Sequence, residues 1–358
     1  MVSHADRRSR LIRAFPDTID ALLITRLVNV RYLCGYSGSN GALLVTRDGS
    51  VVAATDGRYV TQMAQSAPDI ECIEARAVGA ALVGRARNEG ITRVGIEAAH
   101  VTLATHEALR EAAGADLALV ATRPLVEPLR AVKDQAELAT LRTACEITTA
   151  AFETVVSSLR PGPTERDVAW QLEAEMRERG ASGPAFDTIV AFGPNSAIPH
   201  HQPTDRRLAP GDLVKVDFGA LYDGYHADMT RTVAAAPVAD WQRDLHQLVT
   251  EIQAECVAAC VMGAVPDQLN TRAHRAIEAA GHRVAHGLGH GVGLEIHEDP
   301  FLTRGSTAAP LTANVAVTIE PGIYLPEQGG VRIEDTVVVG ETATRSLTTA
   351  PRELLELS

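Results

Sequence analysis

The sequence predicts an α/β (α+β) chain in two parts, 1–128 and 129–358, the second a duplicated helix–helix–hairpin unit. Three observations predict it. Short apolar runs punctuated by turn residues fill the first third. A stretch carrying two prolines, Pro124 to Leu129, then interrupts the chain, and beyond it apolar residues recur at helical spacing over long segments. At 358 residues and 46% hydrophobic content the chain is long enough for two cores.

In the first part Ala21–Thr25, Ala42–Thr46 and Val51–Ala54 read as strands, with turns at Gly38-Ser39-Asn40-Gly41 and Asp48-Gly49. A helical pattern around Tyr59–Gln65 and a strand at Val94–Glu97 complete a small α/β domain. In the second part Gln135–Leu159 is amphipathic with Leu138, Leu141, Cys145, Phe152 and Val155 on one stripe, and Pro161-Gly162-Pro163 stops it. Thr164 with Asp167 three residues on is a helix start, and Gly180 ends that helix. Trp241–Met262 and Asp267–Ala280 repeat the scheme around Pro266. Leu208–Gly219 and Leu311–Gly322 then match over twelve residues without a gap, and the tenth residue of each is an acid, Asp217 or Glu320.

Composition narrows the function classes. A net charge of −12 with no basic run argues against nucleic acid or an anionic membrane as partner, and no apolar stretch is long enough for a spanning helix. Five scattered cysteines suit a reducing cytoplasm. Among 33 basic residues only Lys133 and Lys215 are lysines, which reads as genome composition without mechanistic content.

The acids carry the chemistry. Asp217 closes the apolar strand Leu213–Phe218, and Asp228 opens the next after the turn Leu221–Tyr225. A turn centred on Asp223-Gly224 puts Asp217 opposite Thr230 with Asp228 diagonal to it; a centre one residue earlier puts the two acids directly opposite. Either register places both on one sheet face, where like charges repel unless a cation lies between them. Glu320 ends Val315–Ile319 and Glu334 sits inside Val331–Val339, read as one strand. Four such carboxylates bring about four negative charges, which two divalent cations balance and a dry core does not tolerate. His282, His286, His290 and His297 cluster in a glycine-rich stretch whose spacing forbids a confident helix. Strict alternation puts His290 and His297 on opposite faces, so a bend or bulge is needed if both reach one site. His100, His106, His246, His274 and His282 read as structural hydrogen-bonding residues.

Val216-Asp-Phe-Gly219, Gly224–Thr232, His286–Glu298, Thr318–Tyr324 and Gly330–Asp335 together resemble the dinuclear metallopeptidases of pita-bread fold, in their Xaa-Pro peptidase branch of prolidase and aminopeptidase P. Asn29–Leu33, Gly38–Gly41 and Thr55–Tyr59 are similar to the creatinase-type N-terminal domain of those enzymes. The resemblance implies Asp217 on a first metal, Asp228 and Glu334 bridging, and His290 and Glu320 on a second. It implies His200 and His297 on the substrate side, steadying an oxyanion, and Tyr324 and Arg332 orienting the ligands. Glu320 is then the proton shuttle for a water attacking the carbonyl before proline. The donor set suits manganese, with cobalt, zinc or iron as other possibilities. The implied substrate is a dipeptide or short peptide, and the implied assembly a homodimer in the cytoplasm. Some dipeptidase relatives carry an Arg just after the His-Glu-x-Pro stretch; here the nearest is Arg304, which leaves longer peptides open as substrates. An aminopeptidase of broader specificity, a metal-free creatinase-like amidinohydrolase and a non-catalytic peptide-binding module are the alternatives, and the intact ligand set speaks against the last two.

Overall fold

The structure, a computed structural model, describes residues 3–357. The chain divides into two compact units, the first ending at Arg130 and the second beginning at Ala131. The first is a six-stranded sheet of β1 (Ala21–Ile24), β2 (Gly41–Thr46), β3 (Val51–Thr55), β4 (Glu71–Glu74), β5 (Arg93–Glu97) and β6 (Ala118–Thr122), in the order β4-β3-β2-β1-β5-β6. β1 and β2 pair antiparallel across the helix Leu27–Cys34, a hairpin joins β2 to β3, and β4, β5 and β6 are added in parallel through helices. The outer strands β4 and β6 are half-exposed and short on contiguous apolar residues, which is why the sequence pattern does not show them. The proline-bearing stretch opens a short helix, Glu127–Ala131.

The second unit runs α1 (Gln135–Ser158), α2 (Glu165–Glu178), then a sheet; α3 (Asp240–Ala259), α4 (Pro266–Ala279), then a second sheet. Three of these four helices have a local reason for their start. Asp134 and Thr164 cap α1 and α2 with reciprocal bonds to Glu137 and Asp167, and Pro266 opens α4, where a missing N–H costs nothing. The first sheet joins β7 (Ile189–Phe192), β8 (Leu213–Phe218) and β9 (Met229–Ala235), with residues 356–357 beside β9. The second joins β10 (Gly289–Gly291), β11 (Glu298–Leu302), β12 (Ala316–Ile319) and β15 (Asp335–Val338), while β13 (Gly322–Leu325) and β14 (Gly329–Arg332) form a separate ribbon. Residues of α1 and α2 share one apolar core with the first sheet, and those of α3 and α4 share another with the second.

Register settles the first hairpin. Asp217 pairs with Thr230, because Asp223 (φ 42°) and Gly224 (φ 75°) both adopt the left-handed backbone that a two-residue hairpin turn of matching twist requires. In the second half Ile319 pairs with Asp335 and Gly322 with Arg332, so Glu320 lies across from Glu334. Val331–Val339 is not one strand. It breaks at Ile333 and Glu334, since Pro321 opposite has no N–H to give and the Glu334 N–H turns to the carbonyl of Thr230. By register Thr230 is the counterpart of Glu334 and Asp228 that of Arg332: the halves share a path but carry complementary groups.

Candidate metal centre

Four strand ends converge on one cavity of about 400 Å³ lined by Asp217, Asp228, His290, Glu320, Glu334 and Arg332, with His200, His286 and His297 at its edge. Asp217, at the end of β8, Asp228, just before β9, and Glu334, between β14 and β15, are all buried. One donor atom each from Asp228, His290 and Glu334 lies within 4.8 Å of the others. His290 Nε2 is 3.5 Å from Asp228 Oδ2 and 3.5 Å from Glu320 Oε1. Its Nδ1 bonds the carbonyl of Gly291, which makes Nδ1 the donor and leaves Nε2 with a lone pair aimed at two carboxylates. Burial, with His297 beside it, pushes the His290 pKa down to about 4, so the ring is neutral.

The cluster is short of positive charge. Burial, then the neighbouring Asp217 and Glu320, pushes the Asp228 carboxyl far above the usual carboxylate range; burial and Asp228 do the same to Glu334. Burial also lifts Glu320 to about 8. Arg332 is the one guanidinium among the described lining residues. It pairs with Asp217 Oδ2, donates from Nε to Thr230 Oγ1 (3.0 Å) and from Nη1 to the Tyr324 hydroxyl (2.7 Å). Thr230 in turn donates its hydroxyl hydrogen bond to Glu334 Oε2 (2.6 Å). Asp217 Oδ1 remains buried without a hydrogen-bond partner. An orphaned carboxylate oxygen, a neutral imidazole lone pair and acids that repel one another are the features a divalent cation resolves, so the residues present fit one.

His290 and His297 reach the same place because the chain doubles back as the β10–β11 hairpin, with a register shift between Gly289 and Gly291, rather than running on extended; their ring centroids are 4.4 Å apart. A Cβ at Gly289 would sit 2.0 Å from the Thr318 carbonyl oxygen, and one at Gly291 2.3 Å from that of Asp299, which explains the glycines flanking His290. His200 follows a loop held on its far side by buried Glu165, which accepts from His201 (2.8 Å) and Thr204 (2.8 Å). Tyr324 reaches the acids through Arg332, which it contacts while Arg332 pairs with Asp217.

Three polar neighbours escaped the sequence reading. Thr230 bridges Arg332 and Glu334; its position opposite Asp217 was the available signal. His286 accepts from Tyr324 (2.8 Å) and was one of the clustered histidines. Lys215 is fully buried between strand and loop; burial, with Arg332 nearby, pushes its amine down to about 6. Phe186, Ile189, Ile296 and Phe301 give the cavity an apolar wall that no motif marks, whereas Arg304 is not among its lining. His246 and His274 make the structural bonds expected of them, to the carbonyls of Thr232 and His286.

Residues 139–341 match the model of metallopeptidase family M24, and residues 7–132 that of the Creatinase/Prolidase N-terminal domain. The chain belongs to metallopeptidase family M24. This M24 chain is 34% identical over 342 residues, 95% of each sequence, to a Xaa-Pro dipeptidase of Pyrococcus horikoshii. Its fold matches a solved Xaa-Pro dipeptidase from Bacillus anthracis (TM-score 0.94, 35% identity, 99% of this chain and 100% of that one). It also matches an X-Pro aminopeptidase from Thermotoga maritima (TM-score 0.90, 34% identity, 98% and 99% covered). The M24 chain thus joins a creatinase-type N-terminal domain to a pita-bread metallopeptidase domain.

Proposed function

We propose that the chain hydrolyses the bond between an N-terminal residue and proline in dipeptides or short peptides, with Asp217, Asp228, His290, Glu320 and Glu334 holding two divalent cations. The observation that carries this reading is the cluster of three buried acids and half-buried Glu320, with a single arginine and an imidazole lone pair, opening on a cavity with an apolar wall. Bound there, such cations supply Lewis acidity and lower the pKa of a water toward neutrality. Glu320, ionised beside the cations, takes the proton of the attacking water and delivers it to the leaving proline nitrogen. His200 and His297 donate to the oxyanion that develops on the scissile carbonyl. A bond to proline offers no N–H, so its ring needs fit rather than an acceptor; Phe186, Ile189, Ile296 and Phe301 supply an apolar surface of that kind.

An oxygen-rich donor set with one imidazole supports manganese as the metal, and five free thiols among the described residues support a reducing cytoplasm. No helix among the described residues is long and apolar enough to cross a membrane. The homodimer implied by the resemblance is part of the same proposal, checked by sedimentation. Release of the first residue from longer peptides is the second reading. It is favoured because Arg332, the only guanidinium among the lining residues, is already committed to Asp217 and Tyr324, leaving a dipeptide carboxylate no arginine there.

The test is a substrate panel of Xaa-Pro, Xaa-Pro-Yaa, Met-Ala-Yaa and creatine with manganese, alongside metal analysis. Proline-selective cleavage, two ions per chain and silence after chelation are expected; full activity in metal-free protein overturns the proposal.

A further inference from the structure

We propose that the two lysines of this chain are positioning residues, each setting one of the two histidines that face the substrate: Lys215 for His200 and Lys133 for His297. All other basic side chains are arginine, on the surface and in the interior alike, yet both lysines are buried in the second unit. Lys215, 0% exposed on β8, donates from Nζ to the carbonyls of Ile198 (2.5 Å) and Pro199 (3.3 Å), the two residues before His200. The Pro199 carbonyl belongs to the peptide plane that ends at the His200 nitrogen, so holding that oxygen orients His200. Arg332 Nη1 donates to the same oxygen (3.2 Å), and the Lys215 amine lies 5.1 Å from the centre of the Tyr324 ring. Lys133, 2% exposed, donates from Nζ to Glu298 Oε1 (2.7 Å) and to the carbonyl of Ala131 (3.3 Å). Glu298 follows His297 directly at the return of the β10–β11 hairpin. The pair packs against the turn so closely that a Cβ at Gly293 would lie 2.6 Å from Glu298 Oε1 and 3.0 Å from Lys133 Cε.

Arginine suits neither place. Its planar head carries five N–H groups, and a dry pocket offering two acceptors leaves the remainder unpaired. Where buried acceptors are many, at Arg231 and Arg332, the chain uses arginine. Lysine survives where a compact amine alone fits, and both such places adjoin a histidine of the cavity edge.

The inference rests on the reading that His200 and His297 act on the substrate. Lys215→Met and Lys133→Met should each lower kcat about 10- to 100-fold, with KM and bound metal unchanged. Lys215→Met should add nothing to His200→Ala, and Lys133→Met nothing to His297→Ala, while the crossed pairs multiply. In metal-free protein labelled with ¹³C-histidine, Lys215→Met should shift the His200 ring signals and spare those of His297, and Lys133→Met the reverse; this readout needs no turnover. Lys→Gln replacements, which keep a donor, serve the same cycle if a Met variant does not fold. A lysine loss as large without its histidine as with it, or unmoved ring signals, overturns the proposal. Unchanged kcat in His200→Ala and His297→Ala instead overturns the substrate role of the histidines.

Discussion

Strand β9 and the segment Arg332–Thr336 build two polar clusters back to back. On one face, Asp335 (0% exposed) accepts from Arg231 Nη2 (2.7 Å), Arg352 Nε (2.6 Å), Thr348 (2.7 Å) and Gln253 (2.8 Å). Burial alone would raise its carboxyl, but Arg231 and Arg352 outweigh burial and hold it below the ordinary range. On the other face, one residue away along each segment, Thr230, Arg332 and Glu334 join Asp217, Asp228 and Glu320, where acids outnumber arginine and carboxyls shift upward. Both clusters are buried, so depth does not separate them. Charge balance does: the closed cluster is complete within the chain, and the open one lacks cations it must obtain from outside.

The sharpest way to break this contrast is Asp228→Asn. Hydrolysis should fall on the order of a thousandfold, the several kcal/mol a placed cation contributes. The metal-free protein should meanwhile melt at a higher temperature, because one of the mutually repelling acids is gone. Unchanged turnover, or a lower melting temperature in chelator, contradicts the assignment. Arg231→Met should do the reverse, costing about 3–5 kcal/mol of stability in denaturant titration by stripping a partner from buried Asp335 while metal stoichiometry persists. Melting temperatures across pH sharpen the comparison further. Glu320 titrates near 4.5 when unfolded and at about 8 when folded, so folded metal-free protein keeps a proton the unfolded chain has lost. Stability from this group is present below about 4.5 and drains away as pH rises to about 8, and saturating metal should abolish that slope. Asp335 has the opposite sign: its contribution holds above 3.8 and is lost as pH falls below it. Thr230→Val should have the smallest effect, a loss of about tenfold in kcat/KM from removing the hydroxyl between Arg332 and Glu334, with Thr230→Ser restoring it.

Much of the fold and the acidic cluster was legible because the cues were local. Capping pairs, helical stripes and apolar strands ending in an acid all lie within a few residues of each other. The choice between two registers at Asp217 was not settled by strand pattern, although Asp223-Gly224 carried the turn chemistry that decides it. Strict alternation shows that His290 and His297 need a bend or bulge to meet, but not that the bend is the β10–β11 hairpin, because the glycines around His290 suit either. Strands β4 and β6 lacked the buried face that creates a pattern. The lysines were visible from the start, yet their meaning depends on burial beside distant carbonyls, which composition does not convey. Glu334 was found, but not the break in its strand, since that arises from Pro321 and Thr230 acting from other segments.

The alternation of Thr230 with Arg231, and of Glu334 with Asp335, also bears on which changes this lineage can accept. Point substitutions on one side leave the other side's contacts in place. Loss or gain of a single codon that slips the register of β9, or of the segment carrying Glu334 and Asp335, by one residue turns each of these side chains to the opposite face. Arginine would then meet the cavity while threonine and glutamate entered the packed interior, so both clusters would fail together. Length variation among relatives should accordingly collect in connecting loops and be purged from these few positions.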